Sequence, residues 1–252
     1  KKKLWFPFAL HRHIKKLNPD IVFVNGFVFP FQLIQLRKSL GKEVKIIVLH
    51  RAEKPFNGIK RYLQKQADRN VNAYLFASGE FGKDWITKGI IKDPGKIHEV
   101  MQSSSSFYPA DRTAAKKILN INNDHAFIWV GRLDANKDPL TVIKAFIKYL
   151  LIYASAKLYM IYQEDQLLPE IKKIIDANRN LTDSIILVGA IEHTQLQHWY
   201  NAADFCISGS HYEGSGIAVC EAMSCGCIPI ITDIMSFRRM TGPGNCGILY
   251  QP

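Results

Sequence analysis

Short apolar runs rich in β-branched residues alternate with helical patterns along almost the whole chain. The strands predicted from these runs are Ile21–Val24, Val44–Leu49, Tyr74–Ala77, Ile97–Met101, Phe127–Val130, Leu158–Tyr162, Ile185–Val188, Phe205–Ser208 and Ile228–Ile231. The helices predicted between them are Phe31–Leu40, Gly58–Arg69, Phe81–Lys88, Arg112–Leu119, Leu140–Leu151, Leu167–Ala177, Thr194–Ala202 and Ile217–Ser224. Strands that alternate with helices form parallel sheets wrapped by helices. The sequence therefore predicts an α/β protein made of two doubly wound, Rossmann-like halves.

The length and composition fit one or two domains. With 252 residues and 47% hydrophobic content, the chain can bury one or two cores. Consecutive serines from Ser103 to Ser106, with Pro109 behind them, are typical of a linker. We therefore expect a first domain over residues 1–106 and a second domain over residues 107–252.

Two glutamates, Glu213 and Glu221, flank a small, flexible run of residues, 214–216. A predicted strand leads into this glycine-containing turn, and a helix is expected from Ile217. The first N–H groups of a helix lack partners within the helix, and the helix dipole adds partial positive charge, so such a turn favours a phosphate or an oxyanion. Because carboxylates accept hydrogen bonds from sugar hydroxyls, the arrangement indicates a sugar-nucleotide site.

A second loop carries two cations. The predicted strand Phe127–Val130 runs directly into Gly131, and Arg132 and Lys137 follow before Pro139 starts the next helix. Ligands of open parallel sheets bind at the carboxyl ends of the strands. An arginine fork and a lysine point charge at this place can neutralise a diphosphate without a metal ion.

These motifs and their order resemble those of retaining glycosyltransferases of the GT-B fold, in the large group 1 family that includes glycogen and sucrose synthases. Gly131-Arg132-Leu133 with Lys137 resembles the diphosphate-binding loop of that family. The segments 212–216 (YEGSG) and 221–226 (EAMSCG) resemble its paired-glutamate signature. The resemblance implies an acceptor-side first domain and a second domain that binds the nucleotide sugar.

The resemblance also implies roles for individual residues. Arg132 and Lys137 would bind the leaving diphosphate, Glu213 would contact the donor sugar, and Glu221 would hold the ribose. Four backbone positions would meet the phosphate or the sugar: Gly214, Ser215, Gly216 and Ile217. His50 follows a predicted strand, where a histidine of the family reaches the donor sugar; an ordinary histidine at the start of a loop is the equally open alternative.

The chain also departs from the family pattern. Residues 101–109 and 162–165 replace two turns of the relatives, so the donor preference does not carry over. The family's opening strand and glycine-rich loop are missing before Leu4, and relatives continue beyond Tyr250 into further helices. We therefore expect a fragment whose first domain is incomplete. The segment from Lys1 to Leu10 is interpreted as a truncated helix rather than a signal peptide.

The resemblance implies transfer with retention, and the sequence favours a route without metal or cofactor. An Asp-x-Asp motif is absent, so the nucleoside-diphosphate sugar is expected to bind as donor substrate without a bridging ion. The five cysteines lack paired C-x-x-C spacing, which favours buried, reduced thiols in a cytoplasmic protein over a zinc site.

The net charge of +11, from 33 basic and 22 acidic residues, requires an explanation. Basic residues concentrate in the first half, at positions 12, 15, 16, 37, 38, 42, 45, 60, 61 and 65. Ordinary surface charge is one explanation; contact with a carbohydrate or lipid-linked acceptor, or with the inner, anionic face of a membrane, is the other. Stacked aromatic patterns are missing, which argues against a nucleic acid partner.

Three other functions remain open. One is a nucleotide-sugar-binding fragment or degenerate relative without activity, and another is an epimerase of similar fold. The third is a dinucleotide-dependent oxidoreductase, because Gly214-Ser215-Gly216 opens a helix. Val219 stands where the dinucleotide motif has its third glycine, and that hypothesis leaves Glu213 and Arg132 unexplained.

Overall fold

The computed structural model describes residues 7–101, 104–178 and 181–251. The chain divides into two compact units, an N-terminal unit of residues 1–102 and a C-terminal unit of residues 103–252. Ser103, the first residue of the predicted linker, lies outside the described residues, as do Lys1 to Phe6. The domain boundaries and roles expected above stay predictions.

The N-terminal unit is a parallel sheet with helices between its strands. Its strands are β1 (Ile21–Asn25), β2 (Lys45–Leu49), β3 (Ala73–Phe76) and β4 (Ile97–Glu99), hydrogen-bonded in the order β1-β2-β3-β4. Its helices are α1 (Phe8–Lys16), α2 (Pro30–Leu40), α3 (Gly58–Asp68) and α4 (Glu80–Thr87). Buried aromatic residues fill its core, among them Phe27, Tyr74, Phe76 and Trp85.

The C-terminal unit contains a second parallel sheet. Its strands are β5 (Ala126–Val130), β6 (Lys157–Ile161), β7 (Ile185–Gly189), β8 (Phe205–Ser208), β9 (Ile228–Thr232) and β10 (Ile248–Tyr250). Its helices are α5 (Arg112–Ile118), α6 (Pro139–Leu150), α7 (Leu168–Asp176), α8 (Leu196–Ala202), α9 (Ile217–Ser224) and α10 (Met235–Thr241). The strand order is β7-β6-β5-β8-β9-β10, so the chain direction across the sheet reverses between β5 and β8.

Both faces of the second sheet are covered, which explains its continuous apolar strands. Phe127 and Trp129 of β5 pack into one core cluster, whereas Ile128 between them packs into a cluster on the opposite face. A strand covered by helices on both faces has no solvent side, so its sequence shows no polar alternation. The pairing of Phe127 with Phe205 and of Ile128 with Cys206 joins β5 to β8 in parallel.

The strand reversal determines where a ligand can bind. In doubly wound sheets the two helices beside the reversal leave on opposite faces, and a crevice opens at the carboxyl ends of the two strands. Here the loop 131–138 leaves β5 and the loop 209–216 leaves β8. These are the loops that carry the two sequence motifs.

The predicted α/β architecture with parallel sheets is confirmed. Several elements were missed or misjudged at their boundaries. The helix α10 and the three-residue strand β10 were not predicted, and the predicted helix at 194–202 is a 3-10 turn, His193–Gln195, followed by α8. The segment interpreted as a truncated helix begins its helix at Phe8 and continues to Lys16.

The five cysteines are free thiols, and Cys206, Cys225 and Cys227 are buried. Burial raises the pKa of the Cys206 thiol to about 12 and that of the Cys225 thiol to about 11. Both thiols are therefore protonated at neutral pH and pack as small apolar groups. Across the described residues, none of the helices has the length and apolarity needed to cross a membrane.

Candidate functional site

A cavity of about 360 Å³ opens within the C-terminal unit at the carboxyl ends of β5, β6 and β8. Five residues predicted from the sequence lie on its wall: Arg132, Lys137, Glu213, Gly216 and Ile217. Its apolar side includes Ile128, Val130 and Ile161, from the ends of the buried strands. The fold thus brings the two sequence motifs onto a single cavity, although they lie about eighty residues apart in the chain.

Internal hydrogen bonds shape the loop after β5. The backbone N–H of Lys137 donates to the Asp134 carboxylate over 2.9 Å, and the N–H of Leu133 donates to the Glu164 carbonyl over 2.9 Å. The guanidinium of Arg132 lies 3.1 Å from the Asp134 carboxylate and is about half exposed. The loop therefore holds both cations at the cavity while Arg132 keeps access to solvent.

Lys137 and Glu213 form an ion pair across the cavity wall. The Lys137 ammonium donates to a carboxylate oxygen of Glu213, and the two side chains are 21% and 14% exposed. Such partial burial weakens the screening of the pair by water. Each sequence motif supplies one partner of this pair. Glu213, which was expected to contact a sugar, is thus held by Lys137, which was expected to contact a phosphate.

Polar contacts fasten the loop after β5 to the loop after β8. The Asn136 amide donates to the Tyr212 carbonyl over 3.0 Å, and the His211 N–H donates to the Asn136 carbonyl over 2.8 Å. The His211 ring lies 3.3 Å from the Asp138 carboxylate, and Asp138 also caps α6 by accepting from the Thr141 N–H. These contacts keep the ion pair in position, because neither loop can shift without the other.

The first turn of α9 faces the cavity without a side-chain cap. None of the described side chains bonds to its N-terminal N–H groups. Gly216, at the N-cap, has φ +60°, a left-handed conformation that favours glycine. Gly216 and Ile217 lie on the cavity wall, whereas Gly214 and Ser215 belong to the loop before the helix and are not among the lining residues. This helix start is suited to an anion.

Glu221 lies behind the cavity wall. Its side chain is 8% exposed, and its two carboxylate oxygens meet His193 Nε2 at 2.7 Å and the Tyr200 hydroxyl at 3.4 Å. Burial, followed by the Glu221 charge, raises the pKa of Tyr200 well above its ordinary value, so the hydroxyl remains a donor at neutral pH. His193 and Tyr200 line the cavity, but Glu221 does not.

Sequence reasoning missed His193 and Tyr200. His193 follows the carboxyl end of β7, in the 3-10 turn that leads to α8. The rule that directs attention to the carboxyl ends of strands could therefore have identified it. Tyr200 lies on α8 among buried residues and carries no signal that distinguishes it from a core tyrosine.

The missed strand β10 supports the loop after β8. The Tyr250 hydroxyl of β10 donates to the Ser208 carbonyl over 2.8 Å, and the Thr232 hydroxyl of the neighbouring β9 donates to the Ser210 carbonyl over 2.5 Å. Burial raises the pKa of Tyr250 to about 12, which keeps its hydroxyl protonated as a donor. Ser208 is a lining residue, so these bonds fix part of the cavity wall.

His50 belongs to the N-terminal unit. It is 3% exposed, stacks on Phe76 with ring centroids 4.3 Å apart, and donates from Nε2 to the Glu53 carbonyl over 2.9 Å. Burial lowers the pKa of His50, although the nearby Glu53 acts in the opposite direction. The ring is thus neutral at neutral pH and has a partner within its own unit.

In the part of the chain that the structure describes, His, Cys, Asp and Glu side chains do not gather in groups of three or more that could hold a metal ion. The residues of the candidate cavity offer two cations and one paired carboxylate instead.

Solved structures share this fold. A sucrose-phosphate synthase from Thermosynechococcus elongatus matches with a TM-score of 0.76 at 21% identity, over 97% of this chain and 63% of that one. A glycosyltransferase from Rickettsia africae matches with a TM-score of 0.77 at 17% identity, over 97% of this chain and 65% of that one. Anabaena HepE in complex with UDP-glucose gives 0.76 at 15% identity, over 96% of this chain and 68% of that one. The predicted GT-B architecture is confirmed at the level of the fold.

Curated relatives in sequence carry glycosyltransferase names as well. A GDP-mannose:cellobiosyl-diphosphopolyprenol alpha-mannosyltransferase from Xanthomonas oryzae is 33% identical over 245 residues, 92% of this chain and 60% of that protein. A D-inositol 3-phosphate glycosyltransferase from Streptosporangium roseum is 24% identical over 168 residues, 63% of this chain and 39% of that protein. The chain thus spans between 39% and 60% of the length of these two relatives.

The family match covers the unit that holds the cavity. Residues 111–252 match the model of the family described as "Glycosyl transferases group 1", which is more than half of the chain. This stretch includes both sequence motifs and all the residues of the Lys137–Glu213 and His193–Glu221 contacts. The chain belongs to the group 1 glycosyl transferases.

Proposed function

We propose that the C-terminal unit binds a nucleoside-diphosphate sugar, and that the protein transfers this sugar to an acceptor with retention and without a metal ion. The observation that carries the proposal is the Lys137–Glu213 pair, which stands with Arg132 beside the uncapped start of α9 on one cavity. Cations and helix N–H groups suit a diphosphate, while the carboxylate suits a sugar hydroxyl.

The diphosphate contacts follow from the donors at the cavity. The Lys137 ammonium has three N–H groups, so it can keep its bond to Glu213 and donate to a phosphate oxygen as well. The Arg132 fork adds a second charge, and the N–H groups at Gly216 and Ile217 add partial positive charge. These donors would stabilise the negative charge that develops on the leaving diphosphate, without a bridging ion.

Retention follows from the proposed geometry of attack. The acceptor hydroxyl would approach the anomeric carbon on the face from which the diphosphate departs. The new C–O bond forms there as the C–O bond to the diphosphate breaks, and the proton of the acceptor hydroxyl passes to the departing diphosphate oxygen on the same face. Glu213, whose charge is already engaged by Lys137, suits a hydrogen bond to the sugar better than it suits nucleophilic attack. Comparison of the anomeric configuration of donor and product by NMR tests this step, and an inverted product contradicts it.

Two further roles are proposed. Glu221, together with its partners, would hold the ribose of the nucleotide, and Gly214 and Ser215 would shape the turn that meets the phosphate. His50 keeps its expected role at the donor sugar as a prediction only, because its Nε2 is engaged by the Glu53 carbonyl. A ligand contact by this ring would require either its Nδ1 edge or a change of partner.

The proposed acceptor is a carbohydrate or a lipid-linked saccharide. The mannosyltransferase from Xanthomonas oryzae carries cellobiosyl-diphosphopolyprenol in its name, and HepE was solved with UDP-glucose. A lipid-linked acceptor would require the protein to work at a membrane surface, and we propose the cytoplasmic face of that membrane.

Peripheral membrane contact is proposed for α1 and the turn after it. Phe8, Leu10 and Leu17 are 60%, 49% and 66% exposed, and the exposed Lys15 and Lys16 lie beside them. Apolar and basic side chains together bind anionic lipid surfaces. We expect sedimentation with anionic vesicles at low salt, weaker sedimentation at moderate salt, and loss of binding when both lysines are changed to glutamate. Failure to sediment at low salt would contradict the proposal.

Calorimetric titration of UDP, GDP, ADP and NAD in the presence of EDTA tests the donor site. We expect one nucleoside diphosphate to bind without metal. Arg132→Ala should weaken it by about 1.5–3 kcal/mol, the cost of one charge-assisted contact, or about ten- to hundredfold. Lys148→Ala is the matched control, because Lys148 is an exposed cation in the last turn of α6, the helix that follows this loop.

The other outcomes identify the alternatives. Binding of NAD alone, unaffected by Arg132→Ala, would support the oxidoreductase. A complete absence of nucleotide binding would point to a degenerate relative. Binding that requires a divalent ion and disappears in EDTA would contradict metal independence while leaving the nucleotide site in place.

A further inference from the structure

Where His193 and Glu221 meet at the cavity wall, the polar group exposed to the cavity is the His193 imidazole rather than the Glu221 carboxylate. The His193 side chain is 64% exposed and lines the cavity, whereas the Glu221 side chain is 8% exposed and lies behind it. A ligand that enters the cavity therefore meets the imidazole before it meets the carboxylate. The family resemblance assigned the ribose to a glutamate and gave no role to a histidine at this position.

The contact with Glu221 determines which atoms of the neutral ring can donate. His193 Nε2 lies 2.7 Å from Glu221 Oε1, and a carboxylate oxygen can only accept. Nε2 therefore carries the proton, and in the neutral ring Nδ1 keeps its lone pair. Within the described residues, Nδ1 makes no hydrogen bond, so it can accept one from a ligand hydroxyl.

Neighbouring rings keep this pair in place. The His193 ring stacks on Phe107 with centroids 4.9 Å apart and an interplanar angle of 30°. The Tyr200 hydroxyl holds the second oxygen of Glu221, at 3.4 Å. His193 thus stands on an aromatic support, and Glu221 is held from two sides. A pair fixed in this way can recognise the geometry of a hydroxyl group rather than merely attract charge.

We propose that His193 is a specificity-determining residue of the nucleotide site, which recognises the ribose hydroxyl pair together with Glu221. The 2′-hydroxyl donates to Nδ1 of His193, and the 3′-hydroxyl donates to a free lone pair of the Glu221 carboxylate. This inference rests on the proposed function, because it requires a nucleotide in the cavity. Glu221 acts partly through His193, by fixing the proton on Nε2 and the orientation of the ring.

Ribonucleotides and their 2′-deoxy forms test this proposal, because they differ only in one of the two hydroxyls. Calorimetry is used to compare UDP with dUDP and GDP with dGDP on the unmodified chain and on His193→Ala. We expect the unmodified chain to prefer the ribonucleotide about tenfold, since an unpaired polar group in the site penalises the analogue. His193→Ala should reduce this preference to about twofold or less, and His193→Gln, which can both donate and accept, should restore part of it.

His198→Ala is the matched control. His198 is also exposed, lies on α8 close to His193 in the sequence, and is not a lining residue of the cavity. It should leave both affinities and their ratio unchanged. Thermal unfolding of His193→Ala should show a Tm lower by only about 2–4 °C, because Glu221 loses one hydrogen-bond partner but keeps the Tyr200 hydroxyl.

The outcomes separate this inference from the proposed function. If the unmodified chain binds neither UDP nor GDP, and ADP and its 2′-deoxy form also fail to bind, both are overturned. If it binds a nucleoside diphosphate but does not distinguish the 2′-deoxy form, or if His193→Ala keeps the preference, this inference alone is overturned. Tighter binding by His193→Ala with an unchanged preference would likewise overturn it, since the ring would then only cover Glu221.

Discussion

Replacing Lys137 with alanine is expected to weaken the binding of the nucleoside diphosphate at least about a hundredfold, which is the upper end of the range expected for Arg132→Ala. Two effects add. The diphosphate loses a charge-assisted contact, and Glu213, 14% exposed on the cavity wall, loses the cation that neutralises it. The unpaired carboxylate then repels the incoming diphosphate. Calorimetric affinities of the two variants, measured in EDTA beside Lys148→Ala, provide the comparison.

A double substitution separates these two effects. Glu213→Gln in the Lys137→Ala background removes the unpaired charge, so we expect it to recover part of the lost affinity for the diphosphate. In the unmodified background the same substitution should leave diphosphate binding nearly unchanged, because Lys137 remains free to donate. If both backgrounds respond equally to Glu213→Gln, the two side chains act independently and the ion pair has no part in the donor site.

The parts of the fold that could be predicted are the elements determined by residues within or next to the element itself. The strand β5 is a continuous apolar run because helices cover both faces of its sheet, and Pro139 identifies the start of α6. The loops that follow β5 and β8 were equally predictable. The functions proposed for their glycines, cations and carboxylates depend on the loop type and on its position at a strand end.

Elements whose cause lies elsewhere in the chain were not predictable. The strand β10 has three residues, too few for a periodic pattern, and it is held by pairing with β9. α10 has seven residues and no side-chain cap among the described residues, so it carries no start signal. Both elements are stabilised by the sheet they pack against.

The same distinction holds within the site. Lys137 and Glu213 were each predicted to belong to the site, but their pairing depends on contacts between loops that lie 76 residues apart. Glu221 was predicted to be a site residue from its motif, yet its burial behind His193 depends on the path of the turn after β7. For His50 the sequence left the role itself open, because a position after a strand fits either a site histidine or a buried one. The structure adds its burial and its bond to Glu53, which no spacing rule contains.

Gly216→Ala is expected to destabilise the C-terminal unit and to abolish nucleotide binding, whereas Gly226→Ala should only destabilise it. Both glycines have a left-handed backbone conformation, with φ of +60° and +89°, and they lie at the two ends of α9. A Cβ atom at either position meets the backbone strain of that conformation, about 1–2 kcal/mol. At Gly226 nothing lies within 4 Å of the added atom, so the strain is the whole cost.

At Gly216 the added Cβ would lie 2.6 Å from Cε1 of Phe237, a ring that is fully buried and cannot move aside. Overpacking of this kind costs about a further 1–3 kcal/mol. The clash can be relieved only by a shift of the first turn of α9, which carries the N–H groups proposed to hold the diphosphate. A loss of binding larger than the loss of stability is therefore the expected signature of Gly216→Ala.

Thermal unfolding and calorimetric binding of the two variants, measured side by side, test this expectation. Each kcal/mol should lower the Tm by about 2–4 °C for a unit of this size. We expect Gly216→Ala to unfold several degrees below Gly226→Ala, and only Gly226→Ala to bind the nucleoside diphosphate with the affinity of the unmodified chain. Equal Tm values with equal binding would mean that the start of α9 adapts to the side chain, and the helix terminus would then lose its place in the proposed donor site.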